Sequence, residues 1–201
     1  YPVNGKFSDR QRDVYNIVLR AHSQVKDMIM PGTMYPEIHK AAYMSLAEGL
    51  KGVGLIKSTP EVAVEAGAMY LFMPHGLGHG MGMDVHDLEN IGERSFDFST
   101  VADRAAKSAT CIHRGSWRVE PGTVMSDEPG IYFIPALIDK CRAEGKFNGI
   151  VDFDKLDSFR NFGGIRIEDD VLVTESGSRF IGDKLLPLTV EELEAVIGKE
   201  E

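Results

Sequence analysis

Glycine occupies every second position from Gly76 to Gly82, in the run His75-Gly-Leu-Gly-His-Gly-Met-Gly-Met83. A helix through this stretch would lose ~1 kcal/mol at each glycine relative to alanine. The segment is therefore expected to be extended. One edge would carry His75, Leu77, His79, Met81 and Met83. The other edge would be nearly bare, open to close approach by neighbouring backbone. On a helix, the four-residue spacing of His75 and His79 would let both bind one metal. In an extended segment they stand about 13 Å apart, at ~3.3 Å per residue. The pair should then divide its work, one as a ligand and the other as a substrate contact. The plain alternative is a glycine-rich loop carrying solvated histidines, set against three of them (His75, His79 and His86) within twelve residues.

Helical signals gather before this segment and strand signals after it. Ser8-Asp-Arg-Gln11 fits a capping box, and Val14, Ile17, Val18, Ala21, Val25 and Met28 recur at helical spacing. Pro31-Gly32 ends that helix. A second helix is predicted from near Pro36, a first-turn residue, towards Leu50, and a third from Glu61 to Met69. Glu120-Pro-Gly122 reads as a turn. Thr123–Ser126 and Gly130–Ile134 read as short strands broken by Glu128-Pro-Gly130. Ile165, Ile167, Val171 and Val173 share one parity, which predicts a single strand over Gly164–Thr174. Thr189-Val-Glu-Glu192 is a second capping box and opens a short C-terminal helix. This order predicts an α+β fold.

Charge and composition narrow the partners. The 201 residues suffice for one domain with a sizeable core, and the net charge is −9. Phosphate-rich partners need a basic face, so nucleic acid and anionic membranes are disfavoured. No apolar run approaches the roughly 20 residues that span a bilayer, and Tyr1-Pro-Val-Asn-Gly-Lys6 does not read as a signal peptide. The two cysteines, Cys111 and Cys141, lack ligand or CxxC spacing. They fit a reducing, cytoplasmic setting.

Two glutamates stand out beside the histidines. Glu128 precedes Pro129-Gly130 at a strand break, where a carboxylate on a rigid turn can serve as hard ligand or general base. A surface turn glutamate is the alternative. Glu168 lies two residues after Arg166, so both project from one face of a strand whose other face is apolar. They read as either a functional pair or a surface ion pair.

Taken in order, three segments resemble the C-terminal motifs of prolidase and aminopeptidase P, the creatinase-like pita-bread metallopeptidases. They are Gly-Leu-Gly-His-Gly-Met-Gly-Met-Asp-Val-His-Asp, Glu-Pro-Gly-Thr-Val-Met-Ser-Asp-Glu-Pro-Gly-Ile-Tyr-Phe, and Phe-Gly-Gly-Ile-Arg-Ile-Glu-Asp-Asp. The resemblance implies an α+β pita-bread fold over residues 1–201. It also implies a two-metal site, often manganese with cobalt or zinc as alternatives, held by two Asp, one His and two Glu. Matched motif to motif, the ligands are His79, Glu128 and Glu168, with Glu168 bridging. His75 would line the substrate pocket, His86 would contact the scissile-bond region, and Arg166 would position the substrate. Arg114 sits where prolidases bind a dipeptide carboxylate. The implied reaction is hydrolysis of an Xaa-Pro imide bond by a metal-bridged hydroxide, with Glu128 moving the proton.

In the family, the two Asp ligands lie on a hairpin upstream of a Tyr-Pro-x-x-Gly-Lys-Phe segment, which here is residues 1–7. Asp9 and Asp13 belong to the capped helix and do not replace them. The expectation is an N-terminally truncated pita-bread domain that lacks this hairpin, binds metal weakly or not at all, and is inactive alone. Its partners would be a proline-containing dipeptide or short peptide, the missing segment, and a second copy in a homodimer. Glu-Pro-Gly-Ile-Tyr-Phe-Ile and Arg114 favour a dipeptidase over an aminopeptidase P acting on longer peptides. A metal-free pita-bread binding module is the third reading. The joint presence of His75, His79, His86, Glu128, Arg166 and Glu168 argues against it.

Overall fold

The computed structural model describes residues 1–87, 117–184 and 186–198. Helix α1 spans Asp9–Met28 and opens on the expected capping box, in which Ser8 and Gln11 satisfy each other's backbone N–H. Two free amides at the helix start are thereby paired. Helix α2 spans Tyr35–Gly52, with a proline in its first turn. The two helices cross closely, since a Cβ at Gly49 would lie 2.4 Å from the Ile17 side chain. Val14, Val18, Ala21 and Val25 of α1 and Ala42, Leu46 and Leu50 of α2 are buried in the core.

The third predicted helix is two pieces. Helix α3 covers only Pro60–Glu65, and a 3₁₀ turn follows at Ala68–Leu71. Gly67 divides them with φ 74°, a left-handed conformation that costs glycine little and ends helices.

Strands β1 (Val124–Asp127) and β2 (Gly130–Phe133) flank the Glu128-Pro129 break. Helices α4 (Pro135–Ala143) and α5 (Phe153–Asp157) follow. The single strand predicted over Gly164–Thr174 is corrected to two, β3 (Gly163–Arg166) and β4 (Asp169–Val173). Strand β5 covers Ser178–Phe180. β3 pairs antiparallel with β2, while β4 lies between β1 and β5.

The split has a local cause. Gly130 pairs with Arg166 and Asp127 pairs with Asp169. Glu128-Pro129 therefore falls opposite Ile167-Glu168. Proline has no N–H to give the ladder, so both strands break at the same level. Burial still follows the predicted parity: Ile167, Val171 and Val173 are buried, and Arg166 and Glu168 are exposed.

The glycine-rich segment is extended along the free edge of β1. Met81 N–H donates to Val124 O (2.9 Å), Ser126 N–H to His79 O (3.0 Å), and Glu128 N–H to Leu77 O (2.9 Å). Leu77 and His79 are buried, but Met83 is fully exposed, so the expected edge of five side chains ends before it. Helix α6 (Val190–Val196) opens on the second predicted capping box. Its Glu194 binds Lys6 (3.0 Å), Arg12 (2.9 Å) and the Phe7 amide (3.0 Å). Cys141 is a buried free thiol, whereas Cys111 lies outside the described residues. No described helix is long and apolar enough to cross a membrane.

Behind the break, α1 brings His22 against the paired Asp127 and Asp169. His22 Nε2 lies 3.1 Å from Asp169 Oδ2 and 3.9 Å from Asp127 Oδ2. Asp127 is fully buried, and neither of its oxygens has a hydrogen-bond partner among the described residues. Burial first, then the charges of Asp169 and Glu128, push its carboxyl well above the usual carboxylate range. Burial also holds His22 below its ordinary value, against the pull of Asp169.

A raised folded-state value means that stability falls as pH rises through it. Asp127→Val is therefore expected to stabilise the metal-free protein by about 1–3 kcal/mol at neutral pH. The gain should shrink on acidification, as the native carboxyl takes up its proton. Urea unfolding with chelator present, followed across pH, checks both the gain and its slope.

Candidate metal centre

His79, Glu128 and Glu168 converge at the strand break. Each offers one ligand atom, and the three atoms lie within 4.8 Å of one another. His79 and Glu128 are buried, while Glu168 is exposed. His79 Nε2 stands 3.4 Å from Glu128 Oε1. The convergence follows from the backbone. Glu128 and Glu168 sit opposite each other where the ladder is interrupted, and the segment bonded to β1 delivers His79 from the next position across.

The segment seats closely because of Gly78. A Cβ there would stand 2.0 Å from Ser126 O, which no side chain tolerates. Here the expectation of a bare, closely approached backbone holds. From the α2 side, Tyr35 Oη accepts from Gly78 N–H (2.8 Å) and donates to Gly78 O (2.7 Å). Trp117 stacks on the Tyr35 ring at 4.9 Å. His39 Nδ1 accepts from Leu77 N–H (3.2 Å). Ser126 Oγ accepts from His79 N–H (3.0 Å) and donates to Glu128 Oε1 (3.1 Å).

Arg166 holds the other oxygen of Glu128, with Nη1 2.8 Å from Oε2, and its Nε donates to Tyr132 Oη at 2.5 Å. Burial lifts the Tyr132 phenol above its ordinary value, only partly offset by Arg166, so the phenol stays neutral. The expected alternative of a plain Arg166–Glu168 surface pair gives way to an Arg166–Glu128 contact across β2 and β3.

The two histidines of the glycine run separate as their spacing in an extended chain requires. His75 is half-buried, meets Tyr132 edge-on at 5.2 Å, and has Nδ1 2.7 Å from Gly76 O. His79 turns to the carboxylates instead, and the exposed His86 ring stands 4.1 Å from it. Arg114 lies outside the described residues. Ser126, Tyr35, His39 and Tyr132 were not singled out by the sequence. Ser126 and Tyr132 carried a signal, sharing parity with Glu128 inside the quoted Glu-Pro-Gly motif, whereas Tyr35 and His39 carried none.

One imidazole and two carboxylates make a donor set suited to a divalent first-row metal. The buried, hydrogen-bonded Glu128 and the open position of Glu168 fit such an ion. A cavity of about 400 Å³ opens beside Arg166 and Glu168, lined also by Phe7, Tyr15 and Ile167.

Fold and donor set together define a pita-bread α+β domain with a candidate divalent-metal centre. Residues 1–175 match the model of Metallopeptidase family M24, and the chain belongs to that family. The Xaa-Pro dipeptidase of Rattus norvegicus is 38% identical over 198 residues, covering 98% of this chain and 38% of the relative. The Homo sapiens Xaa-Pro dipeptidase is 37% identical with the same coverage. A probable Xaa-Pro aminopeptidase PEPP of Coccidioides posadasii is 33% identical over 98% of this chain and 40% of its own length. Pseudomonas aeruginosa aminopeptidase PepP superposes with a TM-score of 0.69 at 31% identity, over 98% of this chain and 36% of that one. A zinc-substituted Escherichia coli aminopeptidase P in complex with product gives 0.69 at 29%, with the same coverage. The chain thus spans about two fifths of the curated relatives' length.

Removing a ligand should cost more than the ~10–100-fold typical of outer-layer changes. Glu128→Gln in the whole protein is expected to lower divalent-metal affinity beyond that range, while Glu120→Gln on the neighbouring turn leaves it unaltered. Isothermal titration with Mn²⁺ reads both.

Proposed function

We propose that the whole protein is a manganese-dependent peptidase that hydrolyses the Xaa-Pro bond of dipeptides. The observation that carries this reading is the meeting of His79, Glu128 and Glu168 within 4.8 Å in a domain of this family. These three side chains would hold the divalent metal that the family implies. Glu168 is exposed and a cavity lies beside it, which leaves that side open to substrate.

When bound, the ions supply Lewis acidity and a water acidic enough to ionise near neutral pH. The chain's own groups do the rest. Glu128, one oxygen fixed by Ser126 and the other by Arg166, accepts the proton of the attacking water and passes it to the leaving nitrogen. Proline nitrogen carries no N–H in the substrate, so that delivered proton is what frees the product amine. His86, beside His79, donates to the oxygen that gains charge. His75 and Tyr132 line the approach, and Arg114 holds the free carboxylate by charge-assisted hydrogen bonds.

The likeness to aminopeptidase P structures favours a second reading, in which the first residue is removed from longer Xaa-Pro peptides. Rates on Xaa-Pro and Xaa-Pro-Yaa-Zaa separate the two. The dipeptide is expected to be cleaved faster by at least tenfold, a difference of about 1.4 kcal/mol in transition-state binding, and Arg114→Ala should erase the preference. Faster cleavage of the tetrapeptide would replace the first reading with the second. In the whole protein, Glu168→Gln is expected to lower bound metal per chain, and unchanged stoichiometry would overturn the ligand assignment.

A further inference from the structure

We infer that Ser126 is a positioning residue whose single hydroxyl couples the two buried metal-ligand candidates, His79 and Glu128. The inference rests on the metal-site reading above. Ser126 is fully buried. It has one proton and two lone pairs. It accepts from His79 N–H at 3.0 Å and donates to Glu128 Oε1 at 3.1 Å.

The first bond takes an unusual route. Ser126 N–H donates to His79 O in the ordinary ladder manner, but the returning His79 N–H goes to the side chain of Ser126. The hydroxyl thus stands in for a ladder partner and spends its own proton on a ligand carboxylate. Glu128 is left with Oε1 held by Ser126 and Oε2 held by Arg166. Two donors on two different oxygens fix the plane of the carboxylate. The same hydroxyl fixes the height of the His79 backbone. A change at Ser126 should therefore disturb both ligands at once, whereas a change at Arg166 reaches only one.

Tyr35 supplies the contrast. Its Oη makes two buried bonds to the same segment, both to the Gly78 backbone. Tyr35→Phe should weaken the seating of the segment without freeing Glu128.

The test is Mn²⁺ titration calorimetry on the whole protein, run well below the unfolding temperature of every variant. Ser126→Ala is expected to lower affinity about 10–100-fold. Ser126→Thr, which keeps the hydroxyl, should restore it to within about threefold, and Tyr35→Phe should leave it within about threefold, both below that outer-layer range. Should Ser126→Ala fail to fold, Ser126→Cys carries the same expectation in smaller measure, because a thiol is a weak donor. In Co²⁺-loaded protein, the alanine variant should also shift the visible absorption bands. Equal affinity in Ser126→Ala and unsubstituted protein overturns the inference, as does an equal loss in Tyr35→Phe, which would mark a purely structural role. An unsubstituted protein that takes up no Mn²⁺ overturns the metal-site reading instead.

Discussion

The close seating of Gly78 on the carbonyl of Ser126 is the contact on which the rest of the site depends. A side chain at residue 78 would force the segment away from β1 by more than an ångström, because its Cβ would stand 2.0 Å from Ser126 O. The ladder bonds from Glu128 to Leu77 and from Ser126 to His79 would then open. With them would go the approach of His79 to Glu128. Tyr35 and His39 close the other side of the segment, so it is gripped between a helix and a strand. Buried polar groups gripped in this way are either fully partnered or costly, and here the amides of residues 77, 78 and 79 each find a partner.

The second constraint is the interruption shared by two strand pairs. Pro129 cannot donate to a ladder, and the pairing partner changes from β1 to β2 at that level. The interruption leaves Glu128 and Glu168 opposite each other, between the end of the β1–β4 ladder and the start of the β2–β3 ladder. The same interruption places Asp127 and Asp169 on the opposite side, against His22. One face of the break thus gathers the candidate metal ligands, and the other holds a carboxylate, Asp127, with no hydrogen bond among the described residues. A fold that tolerates such strain next to its site commonly reflects demands of function over those of stability.

Membership of metallopeptidase family M24 and the pita-bread fold follow from agreement over nearly the whole chain. The candidate centre is consistent with both. His79 and His75 have separate surroundings: one turns to a carboxylate, the other to the Tyr132 ring.

Much of this was readable in the residues themselves. Both capping boxes, the end of α1, the Glu-Pro-Gly break and the extended glycine run are local matters of dihedral preference and side-chain reach, and local rules decide them. So does the parity that buries Ile167, Val171 and Val173. Other features were decided only by tertiary contact. The strand through Gly164–Thr174 divides because its partner carries a proline, which no local pattern in that strand reveals. The third helix divides at Gly67, where the left-handed turn outweighs helical periodicity. Arg166 chooses Glu128 over the nearer-in-sequence Glu168 because β2–β3 pairing sets its neighbours. Tyr35 and His39, some forty residues before the segment they grip, left no mark in its motif. Their roles exist only once α2 packs beside the extended run, since hydrogen bonds to backbone depend on position in space and not on the identity of the residues served.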